Sequence, residues 1–467
     1  MRLGQWRPHN PLTQNGKSHR GFASLLWLGY ITAVFQGVSG FWPYKRLKRP
    51  PSSTQAKPHT IGATMRPPVT ESELRPMGKQ EAEKTSAKGQ SADGGDASEA
   101  LDRLRASIDT VDARILEALN ERAAMVQEVG TLKQGSRVSP VYVASRERDL
   151  VNALRAANPG PFPDAAIAPV FREIVSATRS LEERVRVAFL GPEGTFSHEA
   201  VVTQFGSQVD LCPVAQLEDV VKATERGESH FGVIPLENSI DGAVNPTFDA
   251  LMESEITICG EVMVRVSQNL LSQSGLSENI VRVASIPQAV SQCRNWLRHN
   301  LPEAEVVDTS STAAAAQWAS EDEGVAAIGS SIAAEAYGLK FVEEGIEDRR
   351  GNTTRFAVVG QEMPRPSGND LTSAAFTVGR HQPGALHRLL EPFARNGVNL
   401  ASVQSRPMKG KPWEYVFFID LEGHHKNENV GKALQEASAV ADSYKILGSF
   451  PRALAAPLGA VGRGTDQ

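Results

Sequence analysis

Cysteine is scarce in this sequence, with three among 467 residues. Cys212, Cys259 and Cys293 are far apart, form no Cys-x-x-Cys pair and cannot all pair within one chain. We therefore expect reduced, buried thiols in a cytoplasmic protein. Clusters with metal-ligand spacing are also missing, and the pair His424-His425 is typical of a solvated loop. The sequence thus predicts no metal and no cofactor.

An excess of basic charge is also lacking. The formal net charge is −5, which argues against nucleic acid as a partner. Hydrophobic residues make up 40% and charged residues 22% of the chain, as is ordinary for a globular protein. A chain of 467 residues is too long for one core, so we expect two to four domains.

Residues 1–97 lack the pattern of a folded domain. Arg46 to Ala97 is rich in Pro, Ser, Gly, Gln and Lys and cannot bury enough apolar surface to fold. The apolar run Phe22 to Trp42 follows a basic stretch and could be a signal peptide or a membrane anchor. The alternative is that translation begins at Met65 or Met77. We favour this alternative and expect a disordered or mis-assigned extension and no membrane partner.

Helical spacing begins at Ser98. Apolar residues recur at this spacing to about Lys133, and neither glycine nor proline intervenes before Gly130. This predicts a helix far longer than the average of roughly eleven residues. Shorter helices are predicted at Arg146–Ala156 and Asp164–Glu183. Three helices of such unequal length cannot close a core alone, so we expect a homodimer or a higher oligomer.

The long helix carries three cations, Arg105, Arg122 and Lys133. At roughly 100° per residue, Arg122 and Lys133 lie within about 20° of one face, whereas Arg105 is rotated by about 100° from Arg122. Cations on a helix more often line a solvated face. The residues around these three favour a binding role instead.

Those residues are Leu104-Arg105, Glu121-Arg122, Val129-Gly130 and Ser145 to Asp149. Over residues 100–183 the segment resembles the all-helical chorismate mutase family, and we assign it residues 98–184. The resemblance implies a dimer with swapped helices. Arg122, Arg146 and the Arg105 contributed by the other subunit would then clamp the two carboxylates of chorismate.

The resemblance also assigns the chemical roles. Lys133 and Glu182 match positions that stabilise negative charge on the breaking ether oxygen, and Glu147 would accept a hydrogen bond from the substrate hydroxyl. Thr178 and Val143 match substrate-contact positions. Some members carry Gln at position 182, so Glu182 must be protonated through burial to help. Some carry Asp at position 143, so Val143 could contribute only its backbone N–H.

After Val185 short apolar runs alternate with helical stretches, which predicts an α/β domain. Four polar runs punctuate it, at Gly191–Ser197, Pro235–Gly242, Ser310–Ala316 and Asn352–Phe356. The first three each follow a strand-like run and lead into a helical one. Such turns place hydroxyls and backbone N–H groups at helix N-termini, where carboxylates bind. The first run is not Gly-x-Gly-x-x-Gly, so a dinucleotide is not expected.

In order and spacing, the four runs resemble the prephenate dehydratase family over residues 185–360, and we assign it residues 185–362. The resemblance implies two α/β lobes with the site in the cleft between them, and a catalytic Thr354 within Thr-Arg-Phe. A hydroxyl that donates to the departing oxygen suits this dehydration better than a strong base. Further substrate-binding candidates are Thr195, Ser197, Asn238, Ser239, Thr312 and Phe356. Glu237 and Arg355 either bind substrate or organise the loops.

A proline-rich linker, Met363 to Gly368, leads to a last unit with the order βαββαβ, the ferredoxin-like arrangement. Residues 371–450 resemble an ACT domain, which implies that phenylalanine binds between subunits. The matching effector positions are Gly384, Ala385, Leu386, Gln404, Ser405, Arg406 and Pro407. His387 and Gln404 depart from the family pattern, which leaves the strength of inhibition open. We expect the tail, residues 451–467, to be disordered.

Together the resemblances predict a multidomain chain: all-α mutase helices, a bilobal α/β domain and an α+β ferredoxin-like domain. The predicted function is that of the bifunctional chorismate mutase/prephenate dehydratases. These enzymes rearrange chorismate to prephenate and convert prephenate to phenylpyruvate, with feedback by phenylalanine. Two alternatives stay open. The dehydratase could prefer arogenate, or the α/β domain could be a non-catalytic solute-binding protein.

Overall fold

A computed structural model describes residues 93–134, 142, 144–379, 383–408 and 414–453. The expectations for residues 1–92, for Val143 and for the tail after residue 453 fall outside these ranges and stay predictions. The side chain of Lys133 also lies outside them, although its backbone belongs to a described helix. No helix among the described ranges is both long enough and apolar enough to cross a membrane.

The described chain opens with three helices, α1 (Asp93–Gln134), α2 (Ala144–Ala157) and α3 (Asp164–Arg179). The long predicted helix is confirmed and begins before Ser98. The predicted end of α3 at Glu183 is wrong. The backbone N–H groups of Leu181 and Glu182 bond the carbonyls three residues back, the second at 2.9 Å to Arg179, and this tightens and ends the helix. Glu182 therefore lies in a turn.

The apolar residues of α1 are poorly covered within one chain. Leu104 is 63% exposed and Leu132 is 77% exposed, and Ile108, Val111 and Ile115 are exposed as well. A contiguous apolar surface of this kind marks an interaction site in a folded protein.

The α/β part follows α3. Its first half consists of β1 (Arg186–Leu190), α4 (Phe196–Phe205), β2 (Asp210–Val214), α5 (Leu217–Glu225), β3 (Phe231–Asn238), β4 (Gly242–Ala243), α6 (Asn245–Glu253) and β5 (Thr257–Arg265). Its second half consists of β6 (Asn269–Ser272), β7 (Arg282–Ser285), α7 (Pro287–Gln292), α8 (Arg294–Asn300), β8 (Glu305–Asp308), α9 (Thr312–Glu321), β9 (Val325–Gly329), α10 (Ser331–Tyr337), β10 (Lys340–Glu343) and β11 (Thr353–Gly360).

These strands form two sheets, one for each lobe. The first has the order β2-β1-β3-β11-β5 with β4 beside β3, and the second has the order β10-β6-β9-β7-β8. Strands β1, β2 and β3 are parallel, whereas β11 runs antiparallel to β3 and β5. The carboxyl ends of β1 and β3 and the amino end of β11 therefore meet at one edge of the first sheet, the edge where open α/β sheets bind ligands.

The last unit consists of β12 (Asp370–Val378), α11 (Ala385–Arg395), β13 (Leu400–Pro407), β14 (Tyr415–Glu422), α12 (Glu428–Ser438) and β15 (Ser443–Pro451). Its antiparallel sheet has the order β13-β14-β12-β15, with β13 at an edge. The βαββαβ prediction and the multidomain fold class are confirmed.

One hydrophobic core joins the first lobe to this last sheet. Leu251 and Ile258 of the lobe lie in one buried cluster with Phe418 and Phe450 of the sheet. Strand β15 approaches β5 so closely that a Cβ at Gly448 would collide with the carbonyl group of Ile258. Glycine is needed there, because the backbones of the two layers lie too close together for a side chain.

Candidate active sites and effector region

The first candidate site lies where α1 crosses α3. Arg122 of α1 donates a hydrogen bond from Nη1 to Oγ1 of Thr178. Thr178 is buried, and its hydroxyl also bonds the Ile174 carbonyl at 2.8 Å. Roughly two turns further along α1, a Cβ at Gly130 would lie 3.0 Å from Cγ of Glu182. The fold therefore brings Arg122, Thr178 and Glu182 to the contact between these helices.

Glu147 at the start of α2 forms the acidic part of this site. Its Oε1 lies 2.7 Å from Nη1 of Arg179, whose side chain is only 8% exposed. Burial raises the pKa of Glu147, although the charges of Arg179, Arg172 and Arg122 each favour the ionised carboxylate. Burial likewise lowers the pKa of Arg122, and Glu147 opposes that shift. The arginines of this site, Arg122, Arg172 and Arg179, outnumber its carboxylates, Glu147 and Glu182, which suits a dianion.

Arg172 and Arg179 are missing from the sequence-based site. They are seven residues apart on α3 and so share a face, a signal that helical spacing alone could have provided. Arg146 is exposed next to Glu147. A cavity of about 500 Å³ adjoins Glu147 and Arg172, between α2, α3 and the edge strand β5.

Arg105 lies outside this cluster. It pairs with Asp102 at 3.3 Å, and both side chains are well exposed. Seventeen residues of straight helix separate Arg105 from Arg122, which is about 25 Å along the axis. Arg105 therefore cannot reach the site that contains Arg122 of the same chain.

The second candidate site lies at the edge of the first sheet where β3 ends and β11 begins. Asn238 donates from Nδ2 to Oγ1 of Thr354 at 2.9 Å. Oδ1 of Asn238 accepts backbone N–H groups from Ile240 at 2.9 Å and Asp241 at 3.1 Å. These two donors determine which way the amide points. Thr354 is buried and receives this bond on its oxygen, so its own hydroxyl hydrogen remains available to another acceptor.

Hydrogen bonds of Ser239, the next residue, connect the end of β3 to the start of β11. Ser239 accepts the Thr353 N–H at 3.0 Å through Oγ and donates its own N–H to the Thr353 carbonyl at 2.9 Å. Its hydroxyl also donates to Oδ1 of the buried Asn352 at 3.3 Å. Ser239 thus orders the junction that presents Thr354.

The Gly191–Ser197 run forms the turn before α4 and meets the second lobe. Thr195 is the N-cap of α4 and accepts the His198 N–H at 3.3 Å, while Ser197 is buried. The Gly194 carbonyl accepts a hydrogen bond of 2.9 Å from Ser330, which follows β9. This turn therefore lies between the two lobes.

The second lobe contributes two further contacts. Thr312 is the first residue of α9 and is buried, and Ser311 caps that helix by accepting the Ala314 N–H at 2.9 Å. Gln288 of α7 donates a hydrogen bond to Asp241, whose backbone N–H bonds Asn238. The polar runs of both lobes therefore border one cleft.

Phe356 has a different environment from Thr354. It is 2% exposed and packs with Val262 and Val358 inside a hydrophobic cluster. This placement favours a packing role over substrate contact, because a ring buried in a hydrophobic cluster is closed to a ligand.

Glu199 is a residue that the sequence did not single out. It lies near the start of α4, two residues after Ser197, and burial raises its pKa to about 7. A glutamate in the first turns of a helix is common, so its spacing gives no signal. A carboxyl group that titrates near neutrality beside a candidate site is a candidate proton carrier.

Arg355 points to the opposite face of the sheet from the core that holds Phe356. Its Nε lies 2.7 Å from Oε2 of Glu261, and its Nη1 lies 2.5 Å from Oδ2 of Asp420 on β14. Glu237 and Gln404 line the same small space beside these groups. Of the two roles predicted for Arg355 and Glu237, their contacts favour the organising one.

The predicted effector residues fall at two places in the last unit. Gly384 caps α11 in a left-handed conformation (φ 76°), and Ala385 and Leu386 begin that helix. Gln404 to Pro407 end the edge strand β13, where Arg406 pairs with Asp249 of α6 at 2.7 Å. Ser405 and Pro407 are exposed.

The three predicted segments each match a known family. Residues 104–183 match chorismate mutase type II, residues 187–364 match prephenate dehydratase, and residues 376–439 match the ACT domain. Among the described residues no group of three or more His, Cys, Asp or Glu could hold a metal ion.

Whole-chain relatives combine the same segments. The chain is 41% identical over 360 residues to the bifunctional chorismate mutase/prephenate dehydratase of Aquifex aeolicus, covering 76% of this chain and 99% of that protein. It is 40% identical over 359 residues to the protein of the same name from Pseudomonas aeruginosa, covering 76% and 98%. A solved prephenate dehydratase from Arthrobacter aurescens in complex with L-Phe is 32% identical, with a TM-score of 0.54, covering 58% of this chain and 94% of that one.

Fold and sites together define a two-enzyme chain with a ferredoxin-like regulatory unit. The chain belongs to the family of bifunctional chorismate mutase/prephenate dehydratases. It is an enzyme with an isomerase and a carbon–oxygen lyase activity, as the sequence predicted, and not a solute-binding protein.

Proposed function

We propose that the chain rearranges chorismate at the contact between α1 and α3, and dehydrates prephenate at the junction of β3 and β11. The domain limits are 98–184 for the mutase, 185–362 for the dehydratase and 371–450 for the regulatory domain. The hydrogen bond from Asn238 to Thr354 carries the proposal most directly, because it leaves the hydroxyl hydrogen of Thr354 available.

The mutase step is an intramolecular rearrangement that needs no nucleophile and no proton transfer. Its transition state gathers negative charge on the ether oxygen, so preplaced cations stabilise it more than the ground state. Arg122 and Arg146 bind carboxylates of chorismate, Glu147 accepts from its hydroxyl, and Thr178 orients Arg122. Lys133 stabilises the ether oxygen, and Glu182 is the second group assigned to that oxygen.

We further propose that the working mutase is a homodimer. Helix α1 of a second subunit would cover the exposed Leu104 and Leu132. It would also bring its Arg105 to the site around Arg122, which Arg105 of the same chain cannot reach. Light scattering of the wild type against an Arg105→Ala variant separates the two roles. We expect both to be dimers, with mutase activity lost only in the variant.

In the dehydratase step the C–O bond to the ring hydroxyl breaks as the ring carboxylate leaves as carbon dioxide. The electron pair of the broken C–C bond completes the aromatic ring, and the departing hydroxide takes a proton from solvent and leaves as water. The Thr354 hydroxyl donates a hydrogen bond to the departing oxygen and stabilises its growing charge. Thr195, Ser197, Ser239 and Thr312 hold the carboxylates of the substrate.

The preferred dehydratase substrate is prephenate in this proposal. Arogenate differs by an amino group in place of the keto group of the side chain. Initial rates with the two substrates in one assay decide between them. A higher kcat/KM for arogenate would overturn the assignment and make phenylalanine the direct product.

Phenylalanine is the proposed effector, bound at Gly384–Leu386 and Gln404–Pro407 between regulatory domains of two subunits. Its effect on the dehydratase cannot exceed its differential affinity for two arrangements of the dimer. Charge-assisted hydrogen bonds are about twice as strong as neutral ones, so we expect tighter binding in Gln404→Glu than in the wild type. Calorimetric titration of both proteins tests this. Equal affinities would show that the charge is irrelevant, and no heat in either would remove phenylalanine as the effector.

A further inference from the structure

The residue after Thr354 connects strand β11 to the antiparallel sheet of the last unit, β13-β14-β12-β15, which we call the regulatory sheet. Arg355 lies in β11 between Thr354 and the buried Phe356, and its side chain crosses to the regulatory sheet. There Nη1 meets Oδ2 of Asp420 at 2.5 Å, while Nε meets Oε2 of Glu261 at 2.7 Å. The side chains of all three residues are at most 15% exposed.

Arg355, Glu261 and Asp420 form a buried triad that connects the two sheets. Its charges are one positive and two negative, and the regulatory sheet holds Asp420 from its other side through a hydrogen bond from Ser373. Burial alone would lower the pKa of Arg355, but Asp420 and Glu261 together outweigh burial and raise it. Arg355 therefore stays charged, and breaking one contact leaves a buried charge without its partner.

The triad also connects to the strands that border the candidate dehydratase site. Arg355 and Glu261 lie on the neighbouring strands β11 and β5, and Thr354 in β11 faces Asn238 on β3. A shift of Asp420 therefore acts on β11 at the residue next to Thr354. A group misplaced by about 1 Å can cost a catalyst on the order of a hundredfold in rate.

Nη2 of Arg355 is buried and has no hydrogen-bond partner among the described atoms. Arg355 borders the small space that is also lined by Glu237, Ser402 and Gln404. Gln404 and Ser402 belong to β13, the strand whose end carries the predicted effector residues. A guanidinium that satisfies two carboxylates and keeps a third donor free can respond to a change on that strand.

From these contacts we propose that Arg355 is a positioning residue of the dehydratase, which holds the Thr354 hydroxyl in place through Asp420 of the regulatory sheet. The inference rests on the proposed role of Thr354. Arg355 touches no substrate. Its part is to make the geometry of the catalytic hydroxyl depend on the position of the regulatory sheet.

The test compares two matched substitutions in the full chain. Asp420→Asn keeps the size of the side chain but removes its negative charge, so its hydrogen bond with Arg355 is no longer an ion pair. Asp249→Asn weakens a second ion pair between the first lobe and the regulatory sheet, that of Arg406 and Asp249 at 2.7 Å. Asp249 lies on α6 and not beside Thr354. We measure kcat and KM for prephenate without phenylalanine, mutase activity and the melting temperature of both.

We expect Asp420→Asn to lower the dehydratase kcat by about tenfold with KM changed by less than about twofold, because binding groups stay in place while the catalytic hydroxyl shifts. Asp249→Asn should keep both constants, and mutase activity should be unchanged in each variant. If Asp420→Asn fails to fold, Ser373→Ala removes only the bond that orients Asp420, and should lower kcat by about threefold.

Two results would overturn the proposal. A wild-type kcat in Asp420→Asn and in Ser373→Ala would mean that the triad does not position Thr354. An equal loss in Asp249→Asn would mean that any weakening between the layers lowers activity. Thr354→Val distinguishes failure of the underlying function, since a fully active Thr354→Val would remove the role of Thr354 whatever Asp420→Asn shows.

Discussion

Nδ2 of Asn238 donates a hydrogen bond of 2.9 Å to Oγ1 of Thr354, and the direction of this bond matters for catalysis. Two backbone N–H groups occupy Oδ1 of Asn238, so the amide cannot turn round without losing both. Thr354 thus accepts from Asn238 and keeps its hydrogen for the leaving oxygen.

Asn238→Asp reverses that direction. The carboxylate can keep the two backbone donors on one oxygen, but its other oxygen takes the hydroxyl hydrogen of Thr354. We expect the dehydratase kcat to fall by about a hundredfold or more, the loss typical of removing one preplaced donor. Asn238→Ala serves as the control and should lose less, because the hydroxyl is loosened but not captured. An Asp variant as active as the Ala variant would contradict this reading.

The raised pKa of Glu147 predicts an acid limb in the mutase profile. Glu147 accepts from the substrate hydroxyl in its ionised form, so activity is complete above its folded pKa and falls as pH drops through it. Because burial raises that pKa, the fall should begin at higher pH than for a glutamate at its usual value of 4.5. Glu147→Gln keeps an acceptor oxygen and should be weaker but flat over the same range. A Gln variant with the same limb would assign the titration to another group.

Glu199 predicts a pH dependence of stability. Its pKa is about 7 in the folded chain against a usual 4.5, so the folded state favours the protonated carboxyl. Its contribution to the free energy of unfolding is present below pH 4.5 and is lost as pH rises to 7. Glu199→Gln should therefore match the wild type near pH 4.5 and be more stable at pH 8, by about 1 to 3 kcal/mol at roughly 1.4 kcal/mol per pKa unit.

Denaturant titrations of both proteins at the two pH values measure the difference. The Gln side chain is uncharged, like the protonated Glu199, and has the same size, so the substitution preserves the packing. A variant that is no more stable than the wild type at pH 8 would show that Glu199 is better solvated in the folded chain than its burial suggests.

The sequence predicted most elements because each has a local signal. The apolar spacing of α1, the alternation of the two lobes and the βαββαβ order are properties of short windows. The motif runs also predicted Asn238 and Thr354, although they are 116 residues apart. The family resemblance assigned both residues to one site, and local sequence patterns alone could not have done so.

Most of the missed features are long-range. Arg179 holds Glu147 across 32 positions, and Arg355 reaches Asp420 across 65, contacts that only the folded chain creates. The proline-rich linker predicted where the regulatory domain begins. It did not predict that this domain shares a hydrophobic cluster, with Ile258 and Phe418, with the first lobe, because a change in composition carries no information on packing. The end of α3 depended on three-residue backbone bonds that have no side-chain signature.

The central claim is that one chain carries two separate active sites, and paired activity measurements on two variants test it most directly. Thr354→Val removes the hydroxyl at nearly constant volume, and Lys133→Ala removes a cation from the mutase helix. Each protein is assayed for chorismate and prephenate turnover. The account predicts that Thr354→Val loses dehydratase activity by about a hundredfold or more while keeping mutase activity, and that Lys133→Ala does the reverse. Equal loss of both activities in either variant, with the fold intact, would mean one shared site and would contradict it.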